Sequence, residues 1–170
     1  HYDLRHDDWV DERRDPLKAT EAAARHFADL HARFGTWALS LAAYNAGVGS
    51  VSRAIERANT NDFWALVAAD VLPDDATRYV PKAMAAMLIG QDPAAFGFGD
   101  VVPAEPWDFR LVEVPGGMSL KRLARQSKVS LTDLEGLNPE LRRGYTPPDG
   151  EGYMLRVPSA AESSPKAAMG

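Results

Sequence analysis

A tyrosine and an asparagine stand side by side just ahead of a glycine, in the run Ala42-Ala43-Tyr44-Asn45-Ala46-Gly47. The asparagine amide both donates and accepts hydrogen bonds, and a tyrosyl hydroxyl can do either. Next to a turn marked by Gly47 and Gly49, the two suit a ligand rich in hydroxyl and acetamido groups, such as an amino sugar. Glycine lets a ligand come close to the backbone. The same residues also have a plainer reading, in which Asn45 and Gly47 only terminate a helix and Tyr44 packs its ring in a core. The residues taken alone leave both readings open.

Other chemistries are easier to set aside. The 170 residues include no cysteine, which removes disulfides, thiol nucleophiles and cysteine-type zinc sites. His26 and His31 are five apart and no His-Glu-x-x-His run occurs, so neither a metal nor another cofactor is expected. With 19 basic and 24 acidic residues the formal charge is −5, and the pI is near 5.3. That balance argues against a nucleic-acid partner, whose phosphates call for a basic face. Apolar residues make up 45% of the chain, as in ordinary globular proteins. The longest apolar stretches, 37–43 and 83–89, fall far short of the roughly 20 residues that span a bilayer. The chain begins at His1 with no visible export signal, and the expectation is that such a signal has been removed.

The elements that must position Tyr44 and Asn45 follow from punctuation and period. Residues 1–14 are dense in charge and read as an irregular lead-in. Asp15-Pro16 starts a helix, with Asp as cap and Pro at the first helical position. Leu17, Ala23, Phe27 and Leu30 keep a helical period as far as Phe34, and Gly35 ends it. Thr36 can cap the next helix, whose Trp37, Leu39, Leu41, Ala42 and Ala43 are too apolar to face water. Short helices are expected over 50–58 and 62–69. A longer one opens at Pro73-Asp74-Asp75, runs its apolar positions through Val80, Met84, Met87 and Leu88, and closes at Gly90. Prolines and glycines over 91–107 read as a linker or extended strap. Beyond it the rhythm changes. A strand is expected around Phe109–Val114, helices over 118–126 and 130–137, and a closing strand carrying Tyr153, Leu155 and Val157. The tail from 159 to 170 is polar and small, and reads as disordered.

The run around Tyr44 and Asn45 looks like the third signature motif of the lysozyme-like lytic transglycosylases. Its surroundings are similar to the membrane-bound type D members of that family. The resemblance extends over Trp9-Val10-Asp11-Glu12-Arg13-Arg14-Asp15-Pro16, Thr20-Glu21-Ala22-Ala23 and Phe34-Gly35-Thr36-Trp37-Ala38-Leu39-Ser40-Leu41. It continues through Phe63-Trp64 and Leu72-Pro73-Asp74-Asp75-Ala76-Thr77-Arg78-Tyr79-Val80-Pro81-Lys82, and covers about residues 2–98. It implies that Tyr44, Asn45 and Gly47 bind substrate. It also implies that Tyr79, in Thr77-Arg78-Tyr79-Val80, hydrogen-bonds the sugar or the catalytic acid. Outside the resemblance Tyr79 reads as a helix tyrosine packing its ring.

The family's earlier motifs, a Glu-Ser pair carrying the acid and a Gly-Leu-(Met/Trp)-Gln loop, do not occur ahead of residue 42. Glu12 and Glu21 match non-catalytic positions, and Glu162-Ser163 lies in the tail. No catalytic residue is therefore expected in this chain, which reads as an incomplete domain whose acid lies upstream or on another chain. Exposed apolar surface is expected where such a segment would pack.

The C-terminal stretch resembles a LysM module. The matching pieces are 111–115, Gly117-Met118-Ser119-Leu120, Leu123-Ala124, Val129-Ser130-Leu131, Leu134, Leu137-Asn138-Pro139 and Leu155-Arg156-Val157-Pro158. The usual Gly-Asp-Thr-Leu is replaced by Gly117-Met118-Ser119-Leu120. The expectation is a mainly α chain. Residues 1–98 form part of a lysozyme-like helical domain, 99–107 a linker, 108–158 a small β-α-α-β LysM-like module and 159–170 the tail. The resemblance implies peptidoglycan glycan strands as partner and non-hydrolytic cleavage of their MurNAc–GlcNAc β-1,4 bonds in a longer molecule. It further implies a periplasmic or envelope location, with outer-membrane anchoring through a segment ahead of His1. The competing reading is a peptidoglycan-binding protein without catalysis.

Overall fold

Asp15 starts the first helix of the computed structural model, which describes residues 2–150 and 152–160. Its carboxylate accepts from the backbone N–H of Leu17 at 3.0 Å and of Lys18 at 3.3 Å, satisfying donors that have no partner within the helix. Helix α1 then runs Pro16–Phe34. The chain forms two compact units, residues 23–103 and residues 1–22 together with 104–170, and the division falls inside α1.

In the helical unit, Gly35 turns the chain with φ 75°, and Thr36 caps α2, Trp37–Ala46, by accepting from Leu39 N–H. Leu39, Ser40, Leu41, Ala42 and Ala43 are buried, as their apolar run predicts. Ser40 is accommodated because its hydroxyl donates to the Thr36 carbonyl at 2.8 Å. Trp37 differs from expectation. It sits on the first turn, 58% exposed, with its ring 4.3 Å from that of His31. Helices α3, Val48–Ala58, and α4, Phe63–Ala68, follow, and Asp62 caps α4 through Trp64 N–H at 2.8 Å.

Helix α5, Asp74–Gln91, places Asp74 and Asp75 in its first turn, where they favour the positive end of the helix dipole. It runs through Gly90, the expected stop, and gives way only before Pro93. Leu30, Leu39, Val51, Phe63, Leu66 and Val80 form the centre of this unit. Each such side chain contributes on the order of 1.5–3 kcal/mol on burial. Met84, Met87 and Leu88 remain 38%, 49% and 57% exposed. The stretch expected as a linker contains one 3-10 turn, Ala94–Phe96.

The second unit holds a two-stranded antiparallel sheet, β1 Phe109–Val114 with β2 Tyr153–Pro158, in which Val112 faces Leu155 and Arg110 faces Val157. Helices α6, Leu120–Ser127, and α7, Leu131–Leu137, lie between the strands in sequence, giving the expected β-α-α-β order. Val112, Val114, Leu120, Leu123, Leu134, Leu155 and Val157 make the core, joined by Val10 from the lead-in. An isolated bridge pairs Val10 with Leu141.

The strand alternation breaks at Arg156, which is buried on the opposite face. Its guanidinium forms a charged hydrogen bond with Asp15 and approaches Glu140 at 3.5 Å. Removing such a buried cation strands its carboxylates at a cost of about 3–5 kcal/mol. Tyr153 donates to Glu140 at 2.8 Å, and burial, reinforced by that carboxylate, pushes the phenol above its ordinary range. Asn138 replaces a strand neighbour for Arg156. Its amide donates to the Leu134 and Arg156 carbonyls, each at 2.8 Å, and accepts from Arg156 N–H at 2.9 Å. Ser159 and Ala160 form a turn, and the rest of the expected disordered tail, 161–170, lies outside the described residues.

Candidate functional site

Asn45 is the next-to-last residue of α2 and follows the buried stretch, so its side chain is exposed while its backbone is held by the core. Helices α2 and α5 pack together. Their meeting leaves an open groove of about 420 Å³ lined by Asn45, Ala46, Pro73, Asp75, Arg78, Tyr79 and Lys82. Asp75, Arg78, Tyr79 and Lys82 share one face of α5 by their three- and four-residue spacing. Tyr79 is half-buried, with its ring against the helical core. The groove thus brings Asn45 and Tyr79 together.

Tyr44 does not line this groove. Its ring stacks on Phe27 of α1, centroids 4.5 Å apart and planes 20° apart, with His26 at 5.7 Å. Gly47 lies at the edge of the site as a hinge between helices. Its N–H donates to the Ala43 carbonyl at 2.9 Å, closing α2, and its carbonyl accepts from Ser50 N–H at 3.1 Å, opening α3.

Three charged lining residues were not among the expected site residues: Asp75, Arg78 and Lys82. Their signal was available, since they recur with Tyr79 on one helical face. Arg78 contacts Asp75 at 3.4 Å and Asp74 at 4.0 Å. These are exposed pairs worth only about 0–1 kcal/mol, so the guanidinium can turn to a ligand at little cost. A second concavity of the same unit, about 510 Å³, is almost wholly apolar and is lined by Phe27, Trp37, Leu41, Met84, Met87, Leu88 and Gln91. Among the described residues, no helix is long and apolar enough to cross a membrane.

Two family models match the chain. Residues 1–67 match the transglycosylase SLT domain, and residues 108–168 match the LysM-like domain of lytic transglycosylase MltD. The chain is 28% identical over 159 residues to the membrane-bound lytic murein transglycosylase D of Escherichia coli K12, covering 91% of this chain and 34% of that protein. The protein of the same name from Escherichia coli O6:H1 matches to the same extent. The chain therefore spans about a third of the length of the curated relatives it matches.

Proposed function

From this chain's place in the MltD-type lytic transglycosylase family, we propose that it forms one wall of a glycan cleft in a peptidoglycan-cleaving protein. The observation that carries this reading is the shared groove of Asn45 and Tyr79. An amide and a phenol there can bind the acetamido and hydroxyl groups of an amino-sugar chain. Gly47 contributes by letting the chain turn sharply beside them, and Tyr44 by fixing the end of α2 through its stack on Phe27. The location that goes with this substrate is the cell envelope.

The reaction proposed for the whole protein cleaves the MurNAc–GlcNAc β-1,4 bond without water. One carboxylic acid, kept protonated by a partly apolar setting, gives its proton to the leaving oxygen. As carboxylate it then takes the proton of the sugar's own C6 hydroxyl while that oxygen attacks C1, leaving a 1,6-anhydro end. No second carboxylate is required, in contrast to ordinary glycosidases. The groove lining includes no glutamate, and its one carboxylate, Asp75, is exposed beside Arg78. Asn45 and Tyr79 are therefore assigned to binding, and no residue here is assigned as the acid. The same observation favours a second reading for these 170 residues by themselves, in which they bind peptidoglycan without cutting it.

The test is digestion of purified peptidoglycan by the whole gene product, with mass spectrometry of the released fragments. Products ending in 1,6-anhydro-muramic acid are expected. Asn45→Ala should slow their release about tenfold or more, since a lost substrate hydrogen bond of ~1.5 kcal/mol is a factor of ten in rate. Its circular dichroism should not change. Ordinary reducing ends would point to hydrolysis and overturn the proposed reaction, and an unimpaired Asn45→Ala would remove Asn45 from the site.

A further inference from the structure

The lead-in and the loop after α7 are tied together tightly. Arg142 N–H donates to the Trp9 carbonyl at 2.9 Å, and Asp11 N–H to the Glu140 carbonyl at 2.9 Å. This pairing closes a cleft of about 460 Å³ lined by Arg14, Glu135, Asn138, Pro139, Leu141, Arg142, Arg143 and Gly144. Three guanidinium groups meet one carboxylate there, within a chain of net charge −5.

The arginines are only lightly engaged. Arg142 donates to the neutral Asp7 carbonyl at 3.0 Å and Arg143 to the Asp8 carbonyl at 3.0 Å. Arg143 also lies over the Trp9 ring at 5.0 Å, and its pair with Asp8 is long, 3.9 Å, and exposed. Arg14 has no acidic partner among the described residues. Asn138 is buried and its amide is used within the fold, so the cleft's ligand-facing polar groups are the charged ones. Gathering like charges is unfavourable unless something answers them, and the arginine fork fits carboxylates with two parallel hydrogen bonds.

We propose that this cleft is a carboxylate-binding site, and that it takes the free carboxylates of the peptide stems on peptidoglycan. The inference rests on the peptidoglycan reading above and adds to it a second kind of contact. The LysM-like unit would then read the peptide, while the Asn45 and Tyr79 groove of the helical unit reads the sugar. Leu141 and Pro139 supply an apolar floor for the small side chains of such a stem.

The test uses the full 170-residue chain. Its sedimentation is compared on intact peptidoglycan and on glycan strands stripped of stems by an amidase. Soluble stem peptide and inorganic phosphate at matched ionic strength serve as competitors. The expected result is about tenfold tighter binding to the intact material, competition by the peptide beyond that by phosphate, and loss of the preference in the triple Arg14→Gln, Arg142→Gln, Arg143→Gln variant. Because Arg142 and Arg143 also hold backbone carbonyls, Arg14→Gln alone is the second variant, and it should lower the preference about threefold while the thermal midpoint holds. Equal binding to intact and stripped material overturns the inference and leaves the glycan reading standing. A preference that survives in both variants also overturns it, as does phosphate competing as well as the peptide. Binding to neither material removes the peptidoglycan reading and the inference with it.

Discussion

Gly47 holds φ 85° and ψ 146°, a backbone conformation that side chains other than hydrogen rarely adopt. A Cβ there would meet nothing within 4 Å, so any penalty for adding one comes from the backbone and not from collision. Gly47→Ala is expected to lower stability by about 1–3 kcal/mol, read from the urea midpoint, and to disturb the Asn45 groove. An unchanged midpoint would show that the hinge tolerates a side chain. At this scale the sequence was partly legible. The run Tyr44-Asn45-Ala46-Gly47 announced a helix end, but adjacent residues on a helix point about 100° apart. Tyr44 accordingly turns to Phe27 on α1 while Asn45 turns to the groove beside α5. A pair in sequence became two residues with different neighbours. That Asn45 and Tyr79 meet could come only from the packing of α2 on α5, which no local pattern encodes.

The lead-in ahead of α1 carries a 3-10 turn over Glu12–Arg14, and side-chain carboxylates hold the backbone that precedes it. Asp7 accepts from Val10 and Trp9 N–H, each at 2.8 Å, and from Arg5 at 2.5 Å. The Val10 bond, then the Arg5 and Trp9 bonds, lower the Asp7 carboxyl from 3.8 to about 2. Arg13 holds Asp11 below its ordinary value as well. A carboxyl depressed in the folded state stabilises it above the unfolded value near 3.8, and that contribution is lost as pH falls through the folded value near 2. The Trp9 and Val10 amide resonances should therefore titrate with a midpoint near 2, and a midpoint near 4 would show that Asp7 does not hold this segment. Caps were also the most legible feature of the elements. Asp15 and Thr36, both expected as caps from sequence, each hydrogen-bond the first turn of the helix they precede, because capping is decided within three residues. Gly90 misled because a single glycine costs a helix only about 1 kcal/mol. Pro93, which disfavours a helical residue before it, follows the helix end.

For the molecule as a whole, the partition of the chain was the least legible feature. Nothing in residues 1–22 marks them as partners of residues 104–170, yet Val10 sits in that unit's core and Asp15 is ion-paired with Arg156. The signal is divided between a charged lead-in and a strand residue, and neither half is informative alone. Val10, 1% exposed, offers the test. Val10→Asp would bury an unpaired charge and should broaden the methyl resonances of Leu120, Leu134 and Leu155 although no residue beyond 103 is changed. Sharp, unshifted signals would show that the lead-in is dispensable. The Asp15–Arg156 pair bridges 141 residues of sequence, and that distance sets an order of events during synthesis. At roughly 5–20 residues per second the ribosome needs about 7–28 s to deliver Arg156 after Asp15. Throughout that interval Val10 and Asp15 are without the strand they pack against, while every residue of the 23–103 unit emerges earlier than that strand.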